Sequence, residues 1–158
     1  TCVNENSHSE LQTRIENLRR LAIGKQAPEI KITQKSGNTF TIGNIEQEYV
    51  LVLFWASWCP HCEDMIPQIK KVYQDNSLPG FEVLAVSIDT NVNEYSAALA
   101  KLTTAWINHC DFKGWDTQAA IDYSIYATPT MFLLGNDRTI LARPVNAYEL
   151  RNELSRLK

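Results

Sequence analysis

The run Val50-Leu-Val-Leu-Phe-Trp55 is unbroken, apolar and rich in β-formers, and it leads into Ala-Ser-Trp58-Cys59-Pro-His-Cys62. A wholly apolar run of this length suits a central strand covered on both faces, not an edge strand with one wet side. From Glu63 to Tyr73 the apolar residues Met65, Ile66, Ile69, Val72 and Tyr73 recur at helical spacing. The pattern predicts a buried strand, a short turn, and a helix whose first turn holds two cysteines. A helix N-terminus presents unpaired N–H groups and the positive end of the macrodipole, which favours a thiolate over a thiol at Cys59. Cys62, three residues on, falls almost one turn further along the same face, within reach of a disulfide. These residues imply a redox-active dithiol.

The other cysteines do not extend that pair into a disulfide framework. Cys2 and Cys110 stand alone, and a chain of 158 residues is long enough to bury a core without covalent staples. A zinc site would need two more ligands, and Cys2, His8, His109 and Cys110 do not have the spacing of a second chelating pair. Adjacent His109 and Cys110 on a strand would face opposite ways. Cys110 follows the apolar Ala105-Trp106-Ile107 and reads as a packing residue. A net charge of −3 gives no reason to expect nucleic acid or an acidic membrane surface as partner. No apolar run approaches the length of a membrane span, and Thr1 to Glu10 is polar, unlike a signal peptide. A targeting segment, if the protein works outside the cytosol, has been removed or lies upstream.

Along the chain, Ser7 and Glu10 fit a capping box ahead of a helix with Leu11, Ile15, Leu18 and Ala22 on one stripe. Ile30–Thr33 and Thr39–Ile42 alternate around Ser36-Gly37-Asn38, which predicts a β-hairpin. After the dithiol helix, which runs to about Asp75, Phe81–Ile88 reads as a second strand, parallel to the first through a right-handed crossover. A helix follows within Asn91–Leu102, a short strand or turn at Ala105–Cys110, and a helix over Asp116–Tyr123. Thr130–Leu134 and Thr139–Arg143 flank the turn-rich Gly135-Asn-Asp-Arg138 as an antiparallel hairpin, and Asn146–Leu157 closes the chain as a helix.

Trp58-Cys59-Pro60-His61-Cys62 behind a hydrophobic strand resembles the active site of the thioredoxin superfamily. The longer Phe54-Trp55-Ala-Ser-Trp-Cys59 is similar to the TlpA/ResA-like thiol-disulfide oxidoreductases of the bacterial envelope. Pro67 sits where thioredoxins carry a helix-kinking proline. Thr128-Pro129-Thr130 resembles their cis-proline loop, with an ordinary turn as the alternative, and Gly24-Lys-Gln-Ala-Pro28 resembles the G-x-x-A-P start of this branch. The resemblance implies an α/β thioredoxin-like fold over residues 24–158, a central mixed sheet flanked by helices with an N-terminal β-hairpin. Seventy residues separate Cys59 from Pro129, which matches the inserted helical segment of the branch. Residues 1–23 form an extra N-terminal helical segment, which either packs on the domain or ends an upstream one.

The function implied is thiol-disulfide exchange with protein substrates. In that scheme Cys59 is the exposed attacking thiolate and Cys62 the buried resolving cysteine. Trp58, Pro60 and His61 modulate the site. Pro60 forms the turn without needing a backbone donor, and His61 donates a hydrogen bond to the Cys59 thiolate and adds positive charge when protonated. Pro-His between the cysteines is what the oxidising DsbA-type enzymes carry, whereas Gly-Pro marks reducing thioredoxins. Glu63 and Asp64 act against the thiolate. Thr128 and Pro129 bind substrate: the Pro129 bond is expected to be cis, with the Thr128 backbone pairing an extended substrate segment.

No flavin, nicotinamide or metal is implied, because the dithiol itself cycles and a redox partner regenerates it. The expected form is a monomer in the bacterial periplasm or cell envelope, anchored through an upstream segment or a lipidated Cys2. The alternative for Cys2 is a remnant of a preceding segment. The rival from another class is a non-enzymatic thioredoxin-fold binding module for a partner or a metal. Copper-delivery members typically carry C-x-x-x-C, one residue longer than here. Two departures stand out. Leu53 occupies the place of the thioredoxins' buried aspartate, and Met65 that of the glutamate of cytochrome-maturation members, so the proton route to the resolving cysteine is left open.

Overall fold

The computed structural model describes residues 5–34 and 36–158. In chain order the elements are α1 (Glu5–Arg20), β1 (Lys31–Thr33), β2 (Thr39–Thr41), β3 (Tyr49–Trp55), α2 (Pro60–Tyr73) and β4 (Phe81–Ser87). They continue with α3 (Val92–Leu102), β5 (Ile107–His109), α4 (Gln118–Asp122), β6 (Thr130–Leu134), β7 (Ile140–Ala142) and α5 (Ala147–Arg156). The main sheet has the order β5-β4-β3-β6-β7, with β4 parallel to both β3 and β5, and with β3–β6 and β6–β7 antiparallel. This is a thioredoxin-like α/β architecture with a mixed central sheet.

The apolar run of β3 is explained by its place. Side chains alternate across a strand, so Leu51, Leu53 and Trp55 enter one layer with Ile66 and Ile69 of α2 and Leu150 and Leu154 of α5. Val50, Val52 and Phe54 enter the opposite layer with Ile30, Ile32, Tyr123 and Phe132. At about 1.5–3 kcal/mol for each large side chain removed from water, the strand contributes on the order of 10 kcal/mol of burial, before chain entropy is counted. Pairing on both edges then places the chemistry. Trp55 lies opposite Ser87 and Phe54 opposite Thr130. The turn after β3, the turn after β4 and the loop before β6 therefore meet at one end of the sheet.

The hairpin forms a separate two-stranded sheet, β1 antiparallel to β2 with Ile32 opposite Phe40, and it covers the Phe54 face. Gly24, at φ +87, turns the chain so that its N–H bonds the Ile140 carbonyl at 2.8 Å while Ile140 N–H bonds Lys25 O at 2.8 Å. The following segment thus lies along β7 and covers that edge.

Three expectations change. The chain is already helical at Glu5, so Ser7 lies inside α1 and caps nothing. Leu11, Ile15 and Leu18 are exposed, and the first deeply buried residue is Leu21, just past the helix. α1 is held where the Arg20 guanidinium donates to Asp122 O at 2.7 Å and where the Arg14 guanidinium lies 5.5 Å from the centroid of the Tyr126 ring. The hairpin strand predicted over Thr139–Arg143 shortens to β7, Thr139 instead bridging Gln26. α3 and α5 begin at side-chain caps. Asn91 Oδ1 accepts from the N–H groups of Asn93 and Glu94, and Asn146 Oδ1 from Glu149 N–H at 2.8 Å.

Arg138, buried in the β6–β7 turn, donates to the carbonyl oxygens of Ile42 (3.2 Å), Gly135 (3.0 Å), Gln47 (3.3 Å) and Ile45. It ties that turn to the connector ahead of β3. Arg138→Ala strands these carbonyls, so urea unfolding followed by circular dichroism is expected to show a loss of about 3 kcal/mol.

Candidate active site

α2 begins with a sulfur cap. Cys59 takes extended backbone geometry at the N-cap, and its Sγ accepts the backbone N–H of Cys62 at 3.2 Å, the role usually filled by a Ser, Thr or Asp oxygen. Pro60 occupies the first helical position, where no N–H is needed. Cys62 shares the inner face of α2 with Ile66, Ile69 and Val72, all buried. Burial pushes the Cys62 thiol up to about 12, and its hydrogen bond with Cys59 works in the same direction. One helix end thus gives its two cysteines different surroundings: Cys59 at a backbone donor, Cys62 in the core. Both are free thiols here.

The Thr128–Pro129 peptide is cis, and the Thr128 carbonyl accepts from Cys59 Sγ at 3.4 Å. The loop before β6 therefore lies against the sulfur. Contrary to the expectation of an exposed nucleophile, Cys59 is buried. It is 4% accessible against 1% for Cys62, because the cis-proline loop lies over it. The hydrogen bond expected from His61 is also absent. Among the described residues, the partners of Cys59 Sγ are Cys62 N–H and Thr128 O, while His61 is exposed on the first turn of α2. Trp58, 52% exposed, faces Trp115 with ring centroids 6.4 Å apart. Glu63 is paired with Lys101 at 3.2 Å on the surface, which offsets its charge but contributes little stability.

Two features at this end were not found from sequence. One is Asp89, fully buried just beyond β4. Its carboxylate accepts from Ser57 N–H (3.0 Å), Ser57 Oγ (2.5 Å) and Ser87 Oγ (2.5 Å), and Asp89 N–H donates back to Ser87 Oγ at 2.9 Å. A buried carboxylate without a cation is tolerable only when its lone pairs are satisfied this way. The result is a clamp on the turn between β3 and Cys59. The signal in the sequence is an acid two residues past a mostly apolar strand that ends at Ser87. The other feature is Trp115, whose neighbourhood depends on the path of the inserted segment.

Leu53 is fully buried in mid-strand and Met65 packs half-buried on the same core, so neither position supplies an acid. Asp89 does not replace them, since both its oxygens are occupied by donors. Cys110 is half-buried with its sulfur 3.6 Å from Asp89 O, and burial pushes its thiol up. Cys2 lies outside the described residues. Among the described residues, no three His, Cys, Asp or Glu side chains are grouped to hold a metal ion.

Comparison with known proteins agrees with this geometry. The family model described as thioredoxin-like matches residues 47–140. The thiol-disulfide oxidoreductase ResA of Bacillus cereus is 25% identical over 124 residues, which span 78% of this chain and 70% of that protein. The thioredoxin domain of a thiol-disulfide oxidoreductase from Bacteroides vulgatus superposes with a TM-score of 0.77 at 26% identity, covering 87% of this chain and 98% of that one. A thiol-disulfide oxidoreductase from Bacteroides fragilis gives a TM-score of 0.71 at 30% identity over 85% and 100% of the two chains. The chain belongs to the thioredoxin-like family, in its group of TlpA/ResA-type thiol-disulfide oxidoreductases. It is an oxidoreductase.

Two outcomes are expected. Iodoacetamide at neutral pH labels Cys59 of the reduced protein well ahead of Cys62, because a thiol held up to about 12 stays protonated and unreactive across the physiological range. Peptide mapping reads this directly, and faster labelling of Cys62 would reverse the assignment. Asp89→Ala leaves the Ser57 and Ser87 donors without their acceptor and is expected to cost about 2–3 kcal/mol in urea unfolding.

Proposed function

We propose that this protein is a thiol-disulfide oxidoreductase that exchanges electrons with protein substrates through the Cys59-Cys62 dithiol and disulfide. The observation that carries the reading is the setting of the Cys59 sulfur, between the Cys62 N–H at the start of α2 and the Thr128 carbonyl beside a cis proline. The backbone donor stabilises negative charge on that sulfur. The loop lays the partly exposed Thr128–Thr130 segment next to it, where an extended substrate segment pairs as a short added strand.

The reductive direction runs as follows. The Cys59 thiolate attacks one sulfur of a substrate disulfide, a mixed disulfide forms, and the second substrate sulfur leaves as a thiolate. Cys62 then gives up its proton and attacks Cys59. The Cys59–Cys62 bond forms, the substrate departs as a dithiol, and two electrons have moved to it. Run backwards, the same steps oxidise a substrate dithiol. With Leu53 and Met65 where acids would serve, the proton of Cys62 passes to the departing substrate thiolate or to water. Trp58, Pro60 and His61 shape the turn and its electrostatics, His61 acting through charge.

The dithiol needs no flavin, nicotinamide or metal, but a second thiol-disulfide protein has to restore it. All of Cys59, Cys62 and Thr128 come from one chain, so a monomer suffices. The bacterial cell envelope is the setting that fits the ResA-type relatives. No helix among the described residues is long and apolar enough to cross a membrane. An upstream segment or a lipidated Cys2 would supply the anchor.

Cys62→Ser is expected to accumulate mixed disulfides with protein substrates through Cys59, seen as thiol-sensitive bands on non-reducing gels, while Cys59→Ser traps none. Wild-type protein with dithiothreitol is expected to reduce insulin. A protein that leaves insulin intact and traps no substrate is a binding module, and the reading fails.

A further inference from the structure

Trp115 has no place in the core and none in the exchange steps. It is 44% exposed, on a stretch that joins β5 to α4, and its ring meets the ring of Trp58 at 6.4 Å with an interplanar angle of 56°. Two half-wet indoles side by side on a surface are costly to keep unless something covers them.

The loop that carries Trp115 is built to hold it there. Asp111 accepts Lys113 N–H at 3.1 Å and Thr117 Oγ1 at 2.9 Å, and Asp116 N–H and Thr117 N–H close back on Lys113 O and Gly114 O. Gly114 is buried at φ +63, and a Cβ there would come within 2.9 Å of Thr90 Cγ2, so the backbone seats directly on the turn after β4. Phe112, at φ +61, sets its ring edge-on against Tyr95 at 5.6 Å. A residue outside glycine in that region of backbone space is strained and is held by its surroundings. Trp115 is therefore a preorganised surface aromatic, the kind of group that gives binding energy with little ordering cost.

Its position says what it binds. Trp58 directly precedes Cys59 in the chain, so the tilted indole pair adjoins the turn that carries the reactive sulfur. Resting on the thiol-exchange reading above, we propose that Trp115 is a specificity-determining residue. Together with Trp58 it selects protein substrates that carry an aromatic or bulky aliphatic side chain next to the cysteine attacked by Cys59. Such a side chain covers both indole faces, while a small polar one leaves them wet.

The test uses two homodimeric peptide disulfides that differ only in Phe or Ser beside the cysteine. Each is reacted in single turnover with pre-reduced protein. Cys59 and Cys62 become a disulfide and each dimer is released as two peptide thiols, which are counted by chromatography. Rate constants are divided by those for dithiothreitol with the same peptide, which removes intrinsic reactivity. The Phe-to-Ser ratio is expected to be about ten for wild type. In Trp115→Ala it is expected to fall to within about twofold of unity, and in Trp115→Phe to stay above about five, since a ring is retained. The ratio is taken within each variant, so a lower folded fraction cancels, and Trp115→Ser replaces the alanine variant if that does not fold. A wild type that reduces both peptides without preference, or a Trp115→Ala protein that keeps the preference, overturns this proposal alone. A wild type inert toward both peptides overturns the exchange reading and this proposal with it.

Discussion

The end of this protein that carries the dithiol depends on β3 being buried on both faces and paired on both edges. Burial on both faces requires the run from Val50 to Trp55 to be apolar throughout. Pairing on both edges fixes its register, Trp55 opposite Ser87 and Phe54 opposite Thr130. A slip of one residue would turn Trp55 and Leu53 into the wrong layer and carry Cys59 away from Thr128, so the sheet specifies the site as firmly as it specifies the core. The chemistry is then attached where three chain segments leave the sheet together.

The different characters of the two cysteines follow from the helix that begins there. A residue at the N-cap turns its side chain back to the first free N–H groups, and one three positions later already belongs to the helix face. Cys59 therefore meets a donor, and Cys62 meets Ile66 and the core. No charged neighbour is needed to tell them apart. The exposed His61 and the Glu63–Lys101 pair act on this asymmetry only from the surface, where water weakens them.

What was legible in the sequence divides along the same line between local and long-range causes. β3, α2, the helices that begin near Asn91 and Asn146 and the hairpin are written in adjacent residues, and the Cys59-Cys62 pair and Thr128-Pro129 stand out by motif. The misreadings concern partners brought in by the fold. The Leu11, Ile15 and Leu18 stripe has the period of a buried face, yet these side chains stay exposed, because α1 is held by Arg14 over the Tyr126 ring, by Arg20 and by Leu21, and not along that stripe. Cys59 was expected to be open to solvent, and what covers it comes from a loop seventy residues away. In the sequence Asp89 is one polar residue after a strand, and its partner Ser57 lies thirty-two positions back.

The turn after β4 connects these separate facts. Asp89 clamps Ser57 on one side and so steadies the approach to Cys59. The next residue, Thr90, is the surface on which Gly114 seats, and Cys110 closes the gap with its sulfur against Asp89 O. The inserted segment between β4 and the cis-proline loop is therefore anchored to the same post that holds the cysteine turn. The cysteine turn and the stretch that carries Trp115 thus share one anchor, the turn after β4, so the dithiol and the indole pair are positioned by the same contacts.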